Sequence, residues 1–503
     1  MTRDAAAIGA GLDPVRAARP IRGRERIHVV GVAGAGASAA ALLGRAAGAQ
    51  VDGCDPGLPS PYSAALDAAG IAVAPVHDPA HVATEPAPDR LAVTKALTAI
   101  DPDHPELRAA RDRGIPVEPW QQVIADAATG RNLVAVAGTH GKSTTAGWLV
   151  HVLVEAGLDP SAFVGALLPA SITGGVPATA RSGTGAPFVV EADEYAGNFD
   201  AYVPQLAVLT TIEWDHPDVF VDATAVREAF ERWLHRMPGD AVIVANVGDA
   251  GVATVIDRLS LDHPLTIVEV ALADADPPGR AVALRGRISA TDRTTTTLEL
   301  HGLEIDGSAV VAQLPTAGRH NAANALCVAG AAFKLGVPPS AIVQALGSFP
   351  GIGRRLERIG EAAGVVIYDD YGHHPTAIRE TIAAVRQREP ERRIWAVYEP
   401  LTYHRTAALL EEFAASLGTA DAVAIADIWA GRDPDTTVAS ATGLAEAVAG
   451  TRPEIIVEAP GTVDATAAWL AREVRAGDVV LVMGGGHSYR IASGLLQRLE
   501  GAR

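Results

Sequence analysis

Cysteine is scarce. Cys54 and Cys327 are the only two in 503 residues, too few for a disulfide framework, so a reducing compartment is expected. No stretch reaches the ~18 uninterrupted apolar residues of a membrane span. The opening segment carries arginines but lacks the apolar core of a signal peptide. Basic charge is also short: 41 Lys and Arg face 59 Asp and Glu, a formal net charge of −18. That balance leaves no broad basic face for nucleic acid or an anionic membrane. These absences predict a cytoplasmic chain with no nucleic-acid partner and no membrane insertion, acting as a monomer or homodimer. A small anionic ligand stays open, because it responds to local charge rather than to the total. Hydrophobic residues at 48% and charged residues at 20% are ordinary for a folded protein with a large core.

At roughly 100–200 residues per domain, the length predicts about three domains. Short apolar runs alternate with helical stretches, the pattern of α/β folds with mostly parallel sheets. The pattern restarts three times. The first unit opens with Ile27–Gly31 (IHVVG) and closes in the polar stretch Ala125–Arg131. The second opens with Leu133–Ala137, includes Pro187–Val190, Leu206–Ile212 and a helix from Asn321 to Leu335, and ends where Gly and Pro cluster at Ser348–Gly353. The third runs through Val365–Asp370, Ile394–Tyr398, Ala422–Ala426 and Val479–Met483. Domains over 1–128, 129–350 and 351–503 are therefore expected, with the first 24 or so residues a loose arm.

The most specific motif is Gly138–Thr145, GTHGKSTT, between the run LVAVA and a segment with helical apolar spacing. A strand-to-helix turn of this kind aims backbone N–H groups and the helix dipole at phosphate. It predicts ATP binding by Gly138, Thr139, His140, Gly141, Lys142, Ser143 and Thr144, with Lys142 on the terminal phosphates and the Ser143 hydroxyl on Mg²⁺. Val136 stands where the strict phosphate-loop pattern has its first Gly. A second glycine turn, Gly34-Ala35-Gly36-Ala37-Ser38-Ala39, follows the first apolar run, and Asp55 ends the next one. Alone, this is a dinucleotide fingerprint and admits an NAD(P)-dependent oxidoreductase, with Asp55 on a ribose. Any pyrophosphate fits it equally, and an oxidoreductase leaves GTHGKSTT unexplained. His28, on an apolar strand, reads as structural.

Set beside EADEY (Glu191–Tyr195), TIEWDH (Thr211–His216), GRHNAANAL (Gly318–Leu326) and DDYGHHPT (Asp369–Thr376), GTHGKSTT makes the chain resemble the Mur ligase family. The resemblance is to its branch acting on UDP-N-acetylmuramate, and it runs from about Ile27 to near the C-terminus. It implies a Rossmann-like UDP-binding N-terminal domain, a central P-loop ATPase domain and a Rossmann-like C-terminal domain that closes over the site. It also implies ATP and Mg²⁺ as cofactors and an amide bond formed through an acyl phosphate. Carboxylate and triphosphate repel, so Mg²⁺ and Lys142 must place positive charge between them.

By that resemblance Lys142, Glu191, His216 and Arg355 are catalytic, and Ser143, Glu191 and His216 hold metal. Glu194 and Asp215 would orient those ligands. Asn321 and Asn324, three apart and so on one helix face, would meet the adenine. Arg354 or Arg355 would reach the phosphates and Asp370 the ribose. Gly34, Gly36, Ser38 and Asp55 would hold the UDP-sugar. Several family members use a carbamylated lysine beyond the DH motif, but no lysine lies between Lys142 and Lys334. The alanine-adding enzymes also lack it. Thr211 replaces the usual Asn. At the acceptor end HHPTA (His373–Ala377) and EPLTYHRT (Glu399–Thr406) mix features of the branch adding L-alanine with those of the branch adding a murein tripeptide. Arg405 is expected on the acceptor carboxylate, and His373 or His374 on the amine. L-alanine is the expected acceptor and the tripeptide the alternative.

Overall fold

In the computed structural model the described residues are 5–262, 265–275, 277, 279–431, 433 and 435–501. Among them, three sheets form in chain order. The first has five parallel strands in the order Ala72–Ala74, Gln50–Cys54, Arg26–Val30, Arg90–Val93, Val117–Pro119. The second has ten strands. Its parallel centre is Val242–Asn246, Leu206–Leu209, Asn132–Ala137 and Pro187–Ala192. The edge Leu284–Thr291, Thr296–Ile305, Ser308–Leu314 is an antiparallel meander, which the apolar-run pattern had not revealed. The third has six strands, parallel except for the antiparallel pair Glu357–Ala362 and Val365–Asp370. Its buried strands read as continuous apolar runs because helices cover both faces.

Two expected run ends move. The strand begun at Pro187 continues through Glu191 to Ala192, and the strand begun at Leu206 stops at Leu209. Beyond Leu209 the backbone turns off the sheet to serve the phosphate loop. Thr210 N–H still bonds Ala137 C=O, but Thr211 C=O accepts from Thr139 N–H at 2.7 Å.

The first two sheets share one core. Ala39, Leu43 and Val123 of the first unit pack with Phe163 and Phe188 of the second, and the Trp120 and Phe163 rings meet edge-on at 5.3 Å. On the other face of the central sheet, the helices Lys142–Glu155 and Arg319–Lys334 bury Trp148, Leu326 and Val328. Trp148 stacks on Phe349 of the connection to the third sheet, centroids 4.7 Å apart, a pairing that contributes about 0.5–1.5 kcal/mol beyond its buried area.

The expectation of a loose N-terminal arm is wrong for residues 5–24. Ile8 is fully buried against Tyr195 and Ala196. Asp13 and Val117 exchange N–H bonds of 2.7 and 2.9 Å, which covers an otherwise open edge strand. Arg16 pairs with Glu118 and Asp126, each at 2.7 Å, and Arg19 with Glu25 at 2.5 Å. Arg90, nearly fully buried, closes this network on Glu118, Asp126 and Glu25 at 2.8, 2.6 and 3.2 Å. Three guanidinium groups thus balance three carboxylates. The arm is pinned because the buried acids require its charge.

Removing the central cation leaves three buried carboxylates facing two guanidinium groups. Arg90→Met is expected to lower the urea unfolding free energy by about 3–5 kcal/mol. Burial pushes the Glu25 carboxyl up, but hydrogen bonds from Arg19 and the Arg22 N–H, with the charge of Arg90, hold it down at about 2. Its contribution is therefore fully present above the ordinary glutamate range and is lost as pH falls toward 2. A wild-type unfolding midpoint in Arg90→Met would show that the network contributes nothing.

Candidate active site

A single cavity of about 1440 Å³ lies where the three sheets meet. Its centre is the phosphate loop. Strand Asn132–Ala137 delivers the chain to Gly138, and helix Lys142–Glu155 leaves it, so amides face the opening. Gly141 has φ of +78°, and an added Cβ would lie 2.5 Å from Asn324 Oδ1. Only glycine fits both demands. The loop is laced to the segment after strand Leu206–Leu209. His140 N–H donates to Thr211 Oγ1 at 2.9 Å, and Glu213 N–H donates to Thr139 Oγ1 at 2.9 Å. Thr211, the departure noted in the sequence, thus holds the loop with its hydroxyl.

Lys142 bends back over the loop. Its ammonium donates to Gly138 C=O at 2.6 Å and to Glu194 at 3.1 Å, and lies 3.5 Å from Asp193. Burial disfavours the charge, but Glu194, Asp193 and Glu191 outweigh it and hold the amine above its usual range. Burial drives the Glu194 carboxyl up, to about 7, against the pull of Lys142. Burial also depresses the His216 imidazole to about 4, so the ring is neutral near pH 7.

Two adjoining groups suit a divalent cation. Ser143 Oγ donates to Glu191 Oε1 at 3.0 Å, and Glu191 Oε2 accepts the Gly165 N–H at 2.6 Å. A Cβ at residue 165 would crowd the Glu191 oxygens at 3.0 Å, which explains the glycine. Beside them, ligand atoms of Asp193, Glu194 and His216 lie within 4.8 Å of one another. Glu194 Oε1 is buried and has no hydrogen-bond partner among the described residues, the condition of an oxygen shaped for a cation. Oxygen donors with one imidazole fit Mg²⁺.

The C-terminal domain reaches in with two arginines. Arg355 donates to Ser143 Oγ at 2.8 Å and lies 4.8 Å from the Tyr371 ring centre. Arg354 is committed elsewhere: it pairs with Asp369 at 2.9 Å and donates to Gly484 C=O and Ser488 Oγ. It braces its own sheet, so of the two only Arg355 meets the loop. Arg405, expected on an acceptor carboxylate, is buried against Asp215 at 2.7 Å and donates to His216 Nδ1 at 3.0 Å. It neutralises the DH motif across the domain boundary.

Other expected residues are reassigned by their partners. Ser38 is buried outside the cavity, bonded to Ala35 C=O at 2.9 Å and to Thr179 Oγ1 at 3.1 Å, so it joins two domains. Asp55 also lies off the cavity lining. It accepts Ala33 and Gly57 N–H at 2.9 and 2.7 Å, which shapes the first glycine turn. Gly34 and Gly36 do line the cavity, but a Cβ on Gly36 would meet Trp120 at 2.2 Å, so helix packing already requires that glycine. Asp370 faces the cavity while both its oxygens accept N–H groups, from Leu356 and Gly372, at 2.7 Å. His374 Nδ1 accepts the Thr376 N–H at 3.3 Å, so its other nitrogen donates to Trp214 C=O at 3.2 Å. Both nitrogens are used, which leaves His373 as the histidine available to a ligand. The His373 Nδ1–H donates to Tyr371 C=O at 2.9 Å, and burial holds its ring neutral. Asn321, Asn324, His140 and Thr144 line the cavity, with Asn321 Nδ2 donating to Ala317 C=O at 2.7 Å and His140 Nε2 3.0 Å from Glu213.

Lys95 was missed. It follows the strand Arg90–Val93, lines the cavity and donates to Ala196 C=O at 2.6 Å, and burial lowers its amine to about 8. Its place at the carboxyl end of a parallel strand was the available signal.

Models of three Mur ligase domains match this chain in order: the family's catalytic domain over residues 26–132, its middle domain over 136–332 and its glutamate ligase domain over 354–486. A UDP-N-acetylmuramate–L-alanine ligase of Frankia casuarinae is 37% identical over 510 residues, covering 94% of this chain and 98% of that protein. One from Kineococcus radiotolerans is also 37% identical, covering 92% and 93%. The crystal structure of a murein peptide ligase from Psychrobacter arcticus superposes with a TM-score of 0.71 at 26% identity, covering 94% of this chain and 98% of that one. A UDP-N-acetylmuramate–alanine ligase from Thermotoga maritima has the same fold, with a TM-score of 0.76 at 22% identity, covering 95% and 100%.

Gly141→Ala forces a side chain into a left-handed conformation against Asn324. ATP affinity, read by calorimetry, should fall at least about tenfold, the equivalent of about 1.4 kcal/mol, with the circular dichroism spectrum unchanged. Wild-type affinity would mean that the loop does not hold the nucleotide.

Proposed function

The chain belongs to the Mur ligase family, and on that premise we propose that it joins L-alanine to the lactyl carboxylate of UDP-N-acetylmuramate, with ATP converted to ADP and phosphate. The observation carrying this reading is the convergence of the phosphate loop, the Asp193–Glu194–His216 cluster and the Gly34 turn on one cavity. A nucleotide and a second diphosphate-bearing substrate would each find a glycine turn on the same cavity, with Lys142 lining it too.

In this reading the loop amides and Lys142 hold the triphosphate, with Asn321 and Asn324 toward the adenine. The Gly34–Gly36 turn and Lys95 receive the UDP-sugar, and Ser143, Glu191, Asp193, Glu194 and His216 are the residues for Mg²⁺. When bound, Mg²⁺ supplies positive charge that offsets the anions on either side of the reacting phosphorus. The lactyl oxygen attacks the γ-phosphorus, and the bond to the ADP oxygen breaks. Lys142 and Arg355 neutralise the equatorial oxygens as that bond shifts. The free amine then attacks the acyl carbon, and phosphate leaves from the tetrahedral intermediate. In this reading His373, which lines the cavity, orients the incoming amine. Closure of the C-terminal domain through Arg355 and Arg405 shields the acyl phosphate from water.

Phosphate release with ATP and UDP-N-acetylmuramate should be stoichiometric with L-alanine and at background with the L-Ala-D-Glu-diaminopimelate tripeptide. The reverse pattern would reassign the acceptor. Lys142→Ala should reduce turnover by about 100- to 1000-fold while UDP-N-acetylmuramate binding stays within about twofold of wild type. Equal loss of both would contradict separate subsites.

A further inference from the structure

We propose that the N-terminal domain carries a second, structural metal site, a tetrahedral zinc-class centre formed by His28, Cys54, His81 and Glu106. The four residues come from four elements: strands Arg26–Val30 and Gln50–Cys54, and helices Ala80–Ala83 and Pro105–Asp112. Their ligand atoms lie within 4.8 Å of one another, and none of the four lines the large cavity. This inference is independent of the ligase reading.

Spacing is the first argument. Ligands 2.0–2.3 Å from a tetrahedral metal stand roughly 3.3–3.6 Å apart. His28 Nε2 is 3.3 Å from Cys54 Sγ and 3.0 Å from Glu106 Oε1. Cys54 Sγ is 3.4 Å from Glu106 Oε2, and His81 Nδ1 is 3.0 Å from Glu106 Oε1. These four distances fall within a few tenths of an ångström of that spacing, and the remaining ligand pairs lie within 4.8 Å.

Orientation is the second. His28 Nδ1 lies 2.6 Å from Asp52 Oδ1. That carboxylate accepts a hydrogen bond from Nδ1–H and so turns the Nε2 lone pair into the cluster, the arrangement that metal-bound histidines commonly show. His77 Nδ1 lies 3.1 Å from Cys54 Sγ, beside the cluster.

Charge is the third. Glu106 is fully buried and needs a cation beside it. A dication held by the Glu106 carboxylate and the Cys54 thiolate leaves the centre with no net charge, so the metal answers the buried acid directly. Sulfur and imidazole donors select zinc over magnesium, and four protein ligands with no open position mark a structural centre.

The test is metal analysis of the purified full-length protein with Zn²⁺, and with Co²⁺ as a spectroscopic probe. One zinc equivalent should survive desalting, and the cobalt form should show a near-ultraviolet sulfur-to-cobalt charge-transfer band. Cys54→Ser should abolish the band, and His81→Ala should weaken zinc at least tenfold. His216→Ala, at the other cluster, should keep the band and the zinc. Circular dichroism checks folding. If Cys54→Ser does not fold, His81→Ala, whose ring is partly exposed, decides the matter. Folded wild type without zinc and without the sulfur band overturns the site, as does a zinc affinity unchanged in His81→Ala.

Discussion

Two anions must come within bonding distance, and at 4 Å a pair of unit charges repels by about 4 kcal/mol in a protein-like dielectric. The cavity is organised around that repulsion. Lys142 is buried among Glu191, Asp193 and Glu194, an excess of acid that demands more positive charge than one ammonium supplies. Glu194 Oε1 is left without a hydrogen-bond partner among the described residues. Burial keeps His216 neutral, so it adds no positive charge of its own. Strong acid in the site is thus the means by which cations are concentrated where phosphate and carboxylate meet.

That centre is not built by one domain. Ser143 of the central domain receives Arg355, Asp215 receives Arg405 and Thr179 receives Ser38. Each contact ties a loop or helix start near the site to a neighbouring domain. Gly147 lets Ile352 of the connection lie against the helix that begins at Lys142, so the connection packs directly on the element that follows the phosphate loop. Domain arrangement and charge arrangement are the same problem here, because the C-terminal domain places two guanidinium groups on acidic or hydroxyl partners.

The motifs legible in the sequence were those whose chemistry is local. A glycine at 141 is required by a left-handed turn, and Lys142 and Ser143 follow it on one helix start, so the pattern exposes the loop. The three sheets were legible because buried parallel strands read as apolar runs. What was misread depends on distant partners. Ser38 and Asp55 looked like ligand contacts, but Thr179, 141 residues away from Ser38, and the backbone of Ala33 decide what they do. The arm looked loose because Glu118 and Asp126, which hold Arg16, lie more than 100 residues on. His28 read as structural on an apolar strand, and only the fold brings Cys54, His81 and Glu106 to it.

Isotope transfer reads the central claim most directly. UDP-N-acetylmuramate labelled with ¹⁸O in both lactyl carboxylate oxygens, turned over with ATP and L-alanine, should yield phosphate carrying one ¹⁸O per molecule and an amide retaining the other. Unlabelled phosphate would mean that the carboxylate never meets the γ-phosphorus, and the assignment of this cavity would fail.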